Sequence, residues 1–460
     1  QNAKNIHMIG IGGAGMFPIA EILHEKGYAL TGSDNNETDT LKRVRALGIP
    51  VTLGHAPENV EGSDLIIYSA AIMKDNPELV AAAKRRIPMM ERALALGAIT
   101  RKYDHVIGVC GTHGKTTVAS MLTQILMEGG QDPTAVIGGR LPLIDGNGRA
   151  GTGELMVCEA CEFVDTFLQL SPDMAVILNI DEDHMEYFKT LDNLISSFRK
   201  FARMAKTVIV NGEDRNSLEA VKGMEAKTVT FGLSDSNDFY AANIVPGVKT
   251  AGEFDFMHKG ESLCHVILSV PGAHNIANAV AAGAAAFLSG AKPEQIARSL
   301  ASFKGAGRRF EILGSPNRIT IADDYAHHPA ELDVTLRAAM KMGYRRVFAV
   351  FQPFTYSRTA MLLEDFAQVL AQADQVVLSE IMGSREINTY GIKTTDLCEK
   401  IPGAVWFPTF EEIAEYVVNE AAPGDLVITL GCGDIYKAAK LILKKLQQMQ
   451  DQAIAFEDPA

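Results

Sequence analysis

The sequence predicts an α/β protein with three α/β domains, and three observations support this fold class. Short apolar runs that are typical of buried strands alternate with amphipathic helical segments along the chain. This pattern begins afresh near residue 105, where a second glycine-rich loop follows a strand, and again near residue 307. The 460 residues also exceed what a single hydrophobic core usually holds. We therefore predict domains at 1–104, 105–306 and 307–460.

The first domain is predicted to be Rossmann-like, because strands that alternate with helices favour a doubly wound parallel sheet. Its apolar runs predict strands at Ile6–Ile9, Ala29–Thr31 and Leu65–Tyr68, with a helix at Met16–Lys26. The third domain repeats this pattern, so we expect a second Rossmann-like fold there. Its predicted strands are Ile319–Ala322, Arg346–Phe351, Gln375–Leu378 and Leu426–Leu430.

The central domain is predicted to be a P-loop ATPase domain with a parallel sheet. Its strand candidates are Val106–Cys110, Met156–Cys158, Ala175–Leu178 and Thr207–Val210. Residues 228–270 differ, because short alternating runs are separated there by turns at Pro246-Gly247 and His258-Lys259-Gly260. This stretch predicts a small antiparallel insert.

Composition excludes several classes of protein. With 47% hydrophobic residues, 22% charged residues and a net charge of −13, the chain is expected to be a soluble cytoplasmic protein that binds neither nucleic acid nor membranes. The most apolar long stretch, Ile276–Leu288, is too short to cross a bilayer. Six scattered cysteines favour reduced, buried thiols, since Cys158 and Cys161 lack two further zinc ligands at ribbon spacing.

The glycine loop at Gly10–Gly15 follows a strand and precedes a helix, which is the setting that lets a diphosphate approach a helix N-terminus. Asp34 ends the next strand, where an acidic residue can meet a ribose hydroxyl. The pattern also fits a nicotinamide cofactor or a purely structural turn. The candidate residues for binding a nucleotide diphosphate are Gly12, Gly13, Ala14, Gly15, Asp34 and Ser69.

A second glycine loop, after Val106–Cys110, predicts phosphate binding. Backbone N–H groups of such a loop hold phosphates, its lysine reaches the transferred group, and the next hydroxyl binds Mg²⁺. Val109 stands where the full Walker spacing would have its first glycine. The predicted phosphate-binding residues are Gly111, Thr112, His113, Gly114, Lys115, Thr116 and Thr117.

Acidic residues and a histidine follow the next strands of the central domain. Glu159 comes directly after Met156–Cys158, and His184 lies just past Ala175–Leu178. Because the carboxyl ends of parallel strands share one edge of the sheet, these two side chains are predicted to bind Mg²⁺ with Thr116. We expect Glu162, Asp181 and Glu182 to lie on a solvated loop face instead.

Together these motifs resemble the Mur ligases, the amide ligases of peptidoglycan synthesis, over nearly the whole chain. The matching segments are G-T-H-G-K-T-T at 111–117, E-A-C-E at 159–162, N-I-D-E-D-H at 179–184, G-A-H-N-I-A-N at 272–278, R-R-F-E at 308–311 and D-D-Y-A-H-H-P at 323–329. The opening glycine loop and F-Q-P-F-T-Y-S-R-T at 351–359 look like the members that join L-alanine to UDP-N-acetylmuramate.

The resemblance implies that the first domain binds the UDP-sugar, the second ATP and the third the amino acid, with ATP and two Mg²⁺ ions as cofactors. Asn275 and Asn278 match residues near the adenine, and Arg309 matches an arginine that reaches the phosphates. Asp324 matches a contact to the ATP ribose. His327 and Arg358 fall in the amino-acid region, where His327 is either the base or an orienting hydrogen-bond partner. A monomer or a homodimer is expected.

Three departures from the family pattern stand out. Phe354 replaces a histidine that is frequent in the alanine-adding members, and Phe17-Pro18 replaces small residues after the first glycine loop. Related ligases carry a carbamylated lysine near the second magnesium. Phe198 occupies that position here, so no modified lysine is expected.

The predicted reaction is an ATP-dependent ligation through an acyl phosphate, in which Lys115, His184, His327 and Arg358 are the catalytic candidates. A family member that adds a whole tripeptide to the same nucleotide sugar is the nearest alternative. A dehydrogenase that binds NAD at the first glycine loop leaves Lys115, Glu159 and His184 without a role. A non-catalytic nucleotide switch would not release ADP in response to both acceptor and amine.

Overall fold

The computed structural model describes residues 3–383 and 386–457. The chain divides into two compact units. The first comprises Gln1–Val245, Glu253–Leu268 and Ile276–Lys304, and the second comprises Pro246–Gly252, Ser269–Asn275 and Gly305–Ala460. The first unit thus includes residues of the first two predicted domains, and the boundary predicted at residue 104 lies inside it.

A parallel sheet forms the N-terminal part of the first unit. Its strands are β1 (Asn5–Ile9), β2 (Ala29–Asp34), β3 (Val51–Leu53), β4 (Leu65–Tyr68) and β5 (Met89–Glu91). They lie in the order β3-β2-β1-β4-β5, and all four pairings are parallel. The accompanying helices are α1 (Phe17–Glu25), α2 (Asp39–Ala46), α3 (Pro77–Lys84) and α4 (Arg92–Thr100). The predicted Rossmann-like arrangement of strands and helices is confirmed.

A second, larger sheet follows in the same unit. Its strands are β6 (His105–Cys110), β7 (Thr134–Leu141), β8 (Gly146–Arg149), β9 (Leu155–Glu159), β10 (Met174–Ile177), β11 (Thr207–Asn211), β12 (Lys227–Gly232), β13 (Phe239–Pro246), β14 (Gly252–His258) and β15 (Glu261–Leu268). Their order is β15-β14-β13-β12-β11-β10-β6-β9-β7-β8. The helices of this part are α5 (Lys115–Glu128), α6 (Met185–Phe188), α7 (Leu191–Ala202), α8 (Arg215–Val221), α9 (His274–Leu288) and α10 (Pro293–Ser302).

The segment predicted as an antiparallel insert is continuous with this sheet. Strand β12 pairs in parallel with both β11 and β13, so residues 228–270 do not form a separate sheet. Strands β14 and β15 are joined by only Lys259 and Gly260, both with positive φ, and such a short turn connects antiparallel strands. The antiparallel character predicted for this segment therefore belongs to its last strands.

The sheet of the second unit repeats the α/β pattern. Its strands are β16 (Glu311–Gly314), β17 (Thr320–Asp324), β18 (Val347–Phe351), β19 (Gln375–Leu378), β20 (Val405–Trp406) and β21 (Leu426–Leu430). They follow the order β16-β17-β21-β18-β19-β20, and only the pairing of β16 with β17 is antiparallel. Its helices are α11 (Pro329–Lys341), α12 (Tyr356–Met361), α13 (Leu363–Leu370), α14 (Thr394–Cys398), α15 (Phe410–Glu420) and α16 (Tyr436–Glu457).

Apolar packing differs between the two units. In the first unit, one continuous core includes Phe17 and Leu96 from the N-terminal part together with Val136 and Phe167 from the central part. Gly97 permits this approach, since a Cβ atom there would lie 2.1 Å from the carbonyl oxygen of Gln169. In the second unit the sheet is covered on both faces by separate apolar clusters, as a sheet with helices on both faces requires.

Two predictions from composition can be compared with the structure. All six cysteines are free; Cys110 and Cys158 are buried as predicted, whereas Cys161, Cys264, Cys398 and Cys432 are partly exposed. Within residues 3–383 and 386–457, no helix is both long enough and apolar enough to span a bilayer. Across the same residues, no three His, Cys, Asp or Glu side chains form a cluster that could hold a metal ion.

Candidate active site

The phosphate-binding loop connects β6 to α5 and depends on two glycines. Gly111 has φ +141° and Gly114 has φ +87°, backbone conformations that residues with a side chain rarely adopt. A Cβ atom at Gly111 would lie 2.9 Å from the Cβ of Leu178, and one at Gly114 would lie 2.8 Å from Oδ1 of Asn278. The structure therefore brings Asn278 directly against the loop.

The N-I-D-E-D-H motif fixes the other side of this loop. The amide of Thr112 donates to the carbonyl of Asn179 at 3.0 Å, and the amide of His113 donates to Asn179 Oδ1 at 2.7 Å. The amide of Asp181 donates to the Thr112 hydroxyl at 2.9 Å. The side chains of Asp181 and Glu182 are exposed, as predicted, so the backbone of this motif and the side chain of Asn179 hold the loop in shape.

Lys115 is held by three acceptors at the start of α5. Its Nζ donates to the carbonyls of Gly111 (2.5 Å) and Thr112 (3.1 Å) and to Oε1 of Glu162 (3.1 Å). Burial alone would lower the pKa of Lys115, but the charge of Glu162, with smaller contributions from Cys161 and Glu159, raises it. Lys115 therefore carries a positive charge at neutral pH.

Glu162 corrects one sequence prediction. It was expected on a solvated loop face, yet it is 1% exposed and paired with Lys115. The prediction was wrong because the partner of Glu162, Lys115, lies 47 positions away in the sequence. A buried carboxylate next to a loop lysine is maintained by the pairing of their charges.

Thr116 and Glu159 are in contact, while their binding of Mg²⁺ stays a prediction. The Thr116 hydroxyl donates to Oε1 of Glu159 at 3.1 Å, and the amide of Gly138 donates to Oε2 of Glu159 at 2.6 Å. Gly138 is required for this approach, because a Cβ atom there would lie 2.5 Å from Oε1 of Glu159. The carboxylate is thus oriented by a strand of the same sheet.

His184 is positioned by the segment that follows Glu159. It lies at the N-terminus of α6 with φ +56°, and its ring packs on Phe163 with centroids 4.6 Å apart. Close by, the Tyr187 hydroxyl donates to Oδ2 of Asp165 at 2.8 Å. These contacts tie the His184 loop to the Glu159 loop.

A cavity of about 390 Å³ connects the first glycine loop with Glu159. Gly13, Ala14, Gly15, Ser69 and Glu159 all line it, so the structure unites predicted residues from the N-terminal and central parts of the first unit. Sequence reasoning missed three polar residues of its wall, namely Arg92, Asn147 and Thr166. No local motif identifies them.

Asp34 contacts the glycine loop itself. Its Oδ2 accepts a hydrogen bond from the amide of Gly12 at 2.9 Å, and its Oδ1 accepts one from the amide of Asn36 at 3.1 Å. Asp34 therefore stabilises the turn on which Gly13, Ala14 and Gly15 are presented. Whether it also contacts a ribose stays a prediction.

Two departures from the family pattern have a clear structural setting. Pro18 packs against Gly148, where a Cβ atom would lie only 2.4 Å from the Cβ of Pro18. Phe17 is buried beneath the guanidinium of Arg43, 4.3 Å from the ring centroid. Phe198 is fully buried and belongs to the apolar core.

In the second unit, Asp324 organises the start of its candidate site. The backbone amides of Phe310 and Ala326 each donate to one of its oxygens at 2.7 Å. Burial raises the pKa of Asp324 to about 6, and the nearby charge of Arg309 opposes this rise. The guanidinium of Arg309 also lies 5.3 Å from the ring centroid of Tyr325.

Asn275, at the start of α9, and Arg308 both belong to the second unit. The Asn275 side chain donates to the carbonyl of Pro271 at 2.6 Å. Arg308, which sequence reasoning did not select, pairs with Asp323 at 2.8 Å and donates to the carbonyl of Gly431 at 2.6 Å. Arg308 therefore joins the end of β17 to the loop that follows β21.

The amino-acid candidates His327 and Arg358 follow β17 and β18, two strands of the same sheet that both pair with β21. Nδ1 of His327 lies 3.1 Å from both the carbonyl of Tyr325 and Oε2 of Glu331. Both neighbours are acceptors, so the tautomer that satisfies them has its proton on Nδ1 and leaves Nε2 free to accept. Arg358 lies in α12; burial raises the pKa of Cys432 to about 12, and the charge of Arg358 opposes that rise.

Phe354, the third departure, pairs with another loop of this unit. It forms an isolated parallel bridge with Met382, and the amide of Thr355 donates to the carbonyl of Met382 at 2.9 Å. Phe354 and Thr355 therefore join the segment that precedes α12 to the loop that contains Met382.

Comparison with known proteins now decides the family. Residues 5–104 match the model described as Mur ligase family, catalytic domain; residues 109–286 match the Mur ligase middle domain; and residues 308–433 match the Mur ligase, glutamate ligase domain. The chain belongs to the Mur ligase family. This confirms the resemblance drawn from the sequence motifs.

Individual Mur ligases are similar to this chain over almost its full length. The UDP-N-acetylmuramate--L-alanine ligase of Agathobacter rectalis is 45% identical over 449 residues, which cover 96% of this chain and 98% of that protein. The crystal structure of UDP-N-acetylmuramate-alanine ligase MurC from Thermotoga maritima matches with a TM-score of 0.84 at 28% identity, covering 97% of this chain and 100% of that one.

A murein peptide ligase from Psychrobacter arcticus matches with a TM-score of 0.75, covering 96% of this chain and 98% of that one. Its identity of 24% shows that the fold is shared and no more. The full-length relatives therefore favour the alanine-adding members of the Mur ligase family over the peptide-adding ones.

Proposed function

We propose that this chain joins L-alanine to the lactyl carboxylate of UDP-N-acetylmuramate, using ATP and an acyl phosphate intermediate. The observation that carries the proposal is the cavity that links Gly13–Gly15 to Glu159. Glu159 in turn contacts Thr116, next to Lys115 on the phosphate-binding loop. An acceptor held along the first loop would therefore present its carboxylate beside the γ-phosphate of ATP.

In the first step an oxygen of the lactyl carboxylate attacks the γ-phosphorus, and the bond to the β-γ bridging oxygen breaks to release ADP. Both reactants are anionic, so the charge of Lys115 and the amides of the loop offset their repulsion. Hydrogen bonds from the amides of Thr112 and His113 to Asn179, and from the amide of Asp181 to the Thr112 hydroxyl, hold the loop in shape before substrate arrives, which limits reorganisation during the reaction.

The side chains near the loop fit Mg²⁺. Thr116 and Glu159 supply hard oxygen ligands 3.1 Å apart, and Oε2 of Glu162 is buried without a hydrogen-bond partner in the described part of the chain. Thr116, Glu159 and His184 are the residues proposed to hold it. When bound, Mg²⁺ would neutralise charge on the phosphate oxygens.

In the second step the neutral amine of L-alanine attacks the acyl carbon, and phosphate leaves. We assign His327 as the candidate for accepting the proton of the ammonium at Nε2, because Nδ1 faces two acceptors. Arg358 is assigned to the alanine carboxylate, to which a guanidinium can donate two parallel hydrogen bonds. Asn275, Asn278, Arg309 and Asp324 remain the proposed ATP contacts.

The test is ADP release from ATP, Mg²⁺ and UDP-N-acetylmuramate, with each amine added in turn. We expect turnover with L-alanine and none with the tripeptide L-alanyl-γ-D-glutamyl-meso-diaminopimelate. Turnover with the tripeptide alone would overturn the proposed substrate in favour of the recycling reaction. Lys115→Ala provides the control for ADP released by a contaminating ATPase.

The proposed setting is the cytoplasm, because six free thiols suit a reducing compartment. A monomer or a homodimer is proposed, without nucleic-acid or membrane partners. Light scattering at the concentrations used for the assay would distinguish the two oligomeric states.

A further inference from the structure

The phosphate-loop lysine has no donor left for a phosphate. An ammonium group has three N–H donors. Those of Lys115 are directed to the carbonyls of Gly111 (2.5 Å) and Thr112 (3.1 Å) and to Oε1 of Glu162 (3.1 Å). If Lys115 binds the γ-phosphate, as the proposed function requires, at least one of these hydrogen bonds must first break.

Glu162 makes that exchange costly. It is 1% exposed, and its second oxygen, Oε2, is buried with no hydrogen-bond partner in the part of the chain that the structure describes. Lys115 is its only ion-pair partner within that part. A phosphate that drew Lys115 away would leave a buried carboxylate uncompensated and would add its own negative charge nearby.

A divalent cation removes this obstacle. Glu162 lies three residues after Glu159, and Lys115 is adjacent in sequence to Thr116, which contacts Glu159. A cation that enters with the nucleotide next to these groups would compensate Glu162 when Lys115 leaves. The oxygen that lacks a partner is then available to the cation, either directly or through water.

We propose that Glu162 is a positioning residue that holds Lys115 in the nucleotide-free chain and releases it only when Mg²⁺ accompanies the nucleotide. The inference rests on the proposed function. The pairing of Glu162 with Lys115 makes the chain selective for the Mg²⁺ complex of the nucleotide, because nucleotide without Mg²⁺ must compete with Glu162 for Lys115. The role differs from that of Glu159, whose carboxylate is already held by Thr116 and Gly138.

The test is equilibrium binding of β,γ-methylene ATP to the full chain, measured by calorimetry with excess EDTA and again with Mg²⁺. Glu162→Gln keeps the shape of the side chain but removes its charge. Glu182→Gln is the matched control, because Glu182 is an exposed carboxylate in the neighbouring motif. Glu162→Asp keeps the charge on a side chain that is one methylene shorter.

In the wild-type chain, Mg²⁺ should tighten binding strongly. We expect Glu162→Gln to bind the Mg²⁺-free analogue about tenfold more tightly than wild type, the worth of one charge-assisted hydrogen bond. Its gain in affinity on adding Mg²⁺ should shrink accordingly. Glu162→Asp should lie between Glu162→Gln and wild type, and Glu182→Gln should match wild type.

Equal or weaker Mg²⁺-free binding by Glu162→Gln would overturn the inference. Circular dichroism establishes that each variant is folded. Should Glu162→Gln not fold, the comparison of Glu162→Asp with wild type decides, and no gain in Mg²⁺-free affinity refutes the proposal. If wild type fails to bind the analogue even with Mg²⁺, the proposed function itself is wrong, which is a separate result.

Discussion

The substitution Glu78→Gln should destabilise the first unit and change its response to acid. Glu78 lies in α3 with no exposed surface, and its carboxylate contacts four polar side chains. Ser33 donates to it at 2.6 Å, Asn59 donates to the other oxygen, and His55 and His7 approach to 3.0 and 3.7 Å. The amide of Gln cannot satisfy these partners as a carboxylate does.

The size of the effect follows from the pKa. Burial alone would raise the pKa of Glu78, but the neighbouring His7 ring and the hydrogen bonds from Ser33 and Asn59 outweigh burial and lower the pKa from 4.5 to about 2. A shift of about 2.5 pH units corresponds to about 3 kcal/mol of unfolding free energy at 1.36 kcal/mol per unit. Because the folded pKa is depressed, this contribution is complete above pH 4.5 and is lost as the pH falls toward 2.

Urea unfolding followed by circular dichroism at pH 7 and at pH 3 measures this contribution. Glu78→Gln should be less stable than wild type by about 3 kcal/mol at pH 7, and by about half of that at pH 3. Glu61→Gln is the control, because Glu61 forms an exposed ion pair with Arg85 and should change stability by less than about 0.5 kcal/mol. Trp406, the only tryptophan of the chain, reports separately on the second unit.

Equal stability of Glu78→Gln and wild type at pH 7 would refute the reasoning about the buried carboxylate. A difference that stays constant between pH 7 and pH 3 would refute the assignment of the depressed pKa.

Three further predictions concern other parts of the first unit. Thr116→Ala and Glu159→Gln should each raise the Mg²⁺ concentration needed for half-maximal ADP release by about tenfold or more. An unchanged Mg²⁺ concentration for half-maximal release would contradict this prediction. Gly148→Ala should lower stability by about 1–3 kcal/mol through its clash with Pro18, and the double variant with Pro18→Ala should recover part of this in thermal unfolding. Cys158, whose pKa burial raises to about 12, should resist alkylation by iodoacetamide in the native chain at pH 8, and rapid labelling would contradict its burial.

The sequence was sufficient to predict an element of the fold wherever the pattern that indicates it lies within a single segment. The apolar runs at Leu65–Tyr68, Gln375–Leu378 and Leu426–Leu430 form strands with the predicted bounds. The loop at 111–117 lies between a strand and a helix, as its glycines and lysine predict, although α5 already begins at Lys115. Three of its residues were assigned to the loop and lie in the first turn of the helix.

Prediction was weaker where distant segments meet. Glu162 looks like a loop residue in sequence, and only its contact with Lys115, 47 positions away, shows that it is a buried ion-pair partner. Arg92 and Asn147 line the cavity because α4 and β8 are packed beside the glycine loop. Strand β12 begins a segment whose turns predict antiparallel strands. It nevertheless pairs in parallel with β11, and the sequence of the segment itself does not reveal this pairing.

The contact of Pro18 with Gly148 has a consequence for anyone who exchanges parts between related ligases. The glycine loop is attached to the central part of the unit at this contact and where Asn147 donates to the carbonyl of Ala14 at 2.8 Å. The wall of the cavity is therefore assembled from segments more than 100 residues apart. A chimaera that transplants residues 1–104 alone would separate Pro18 from its matching glycine, so residues 138–149 should be transferred with them.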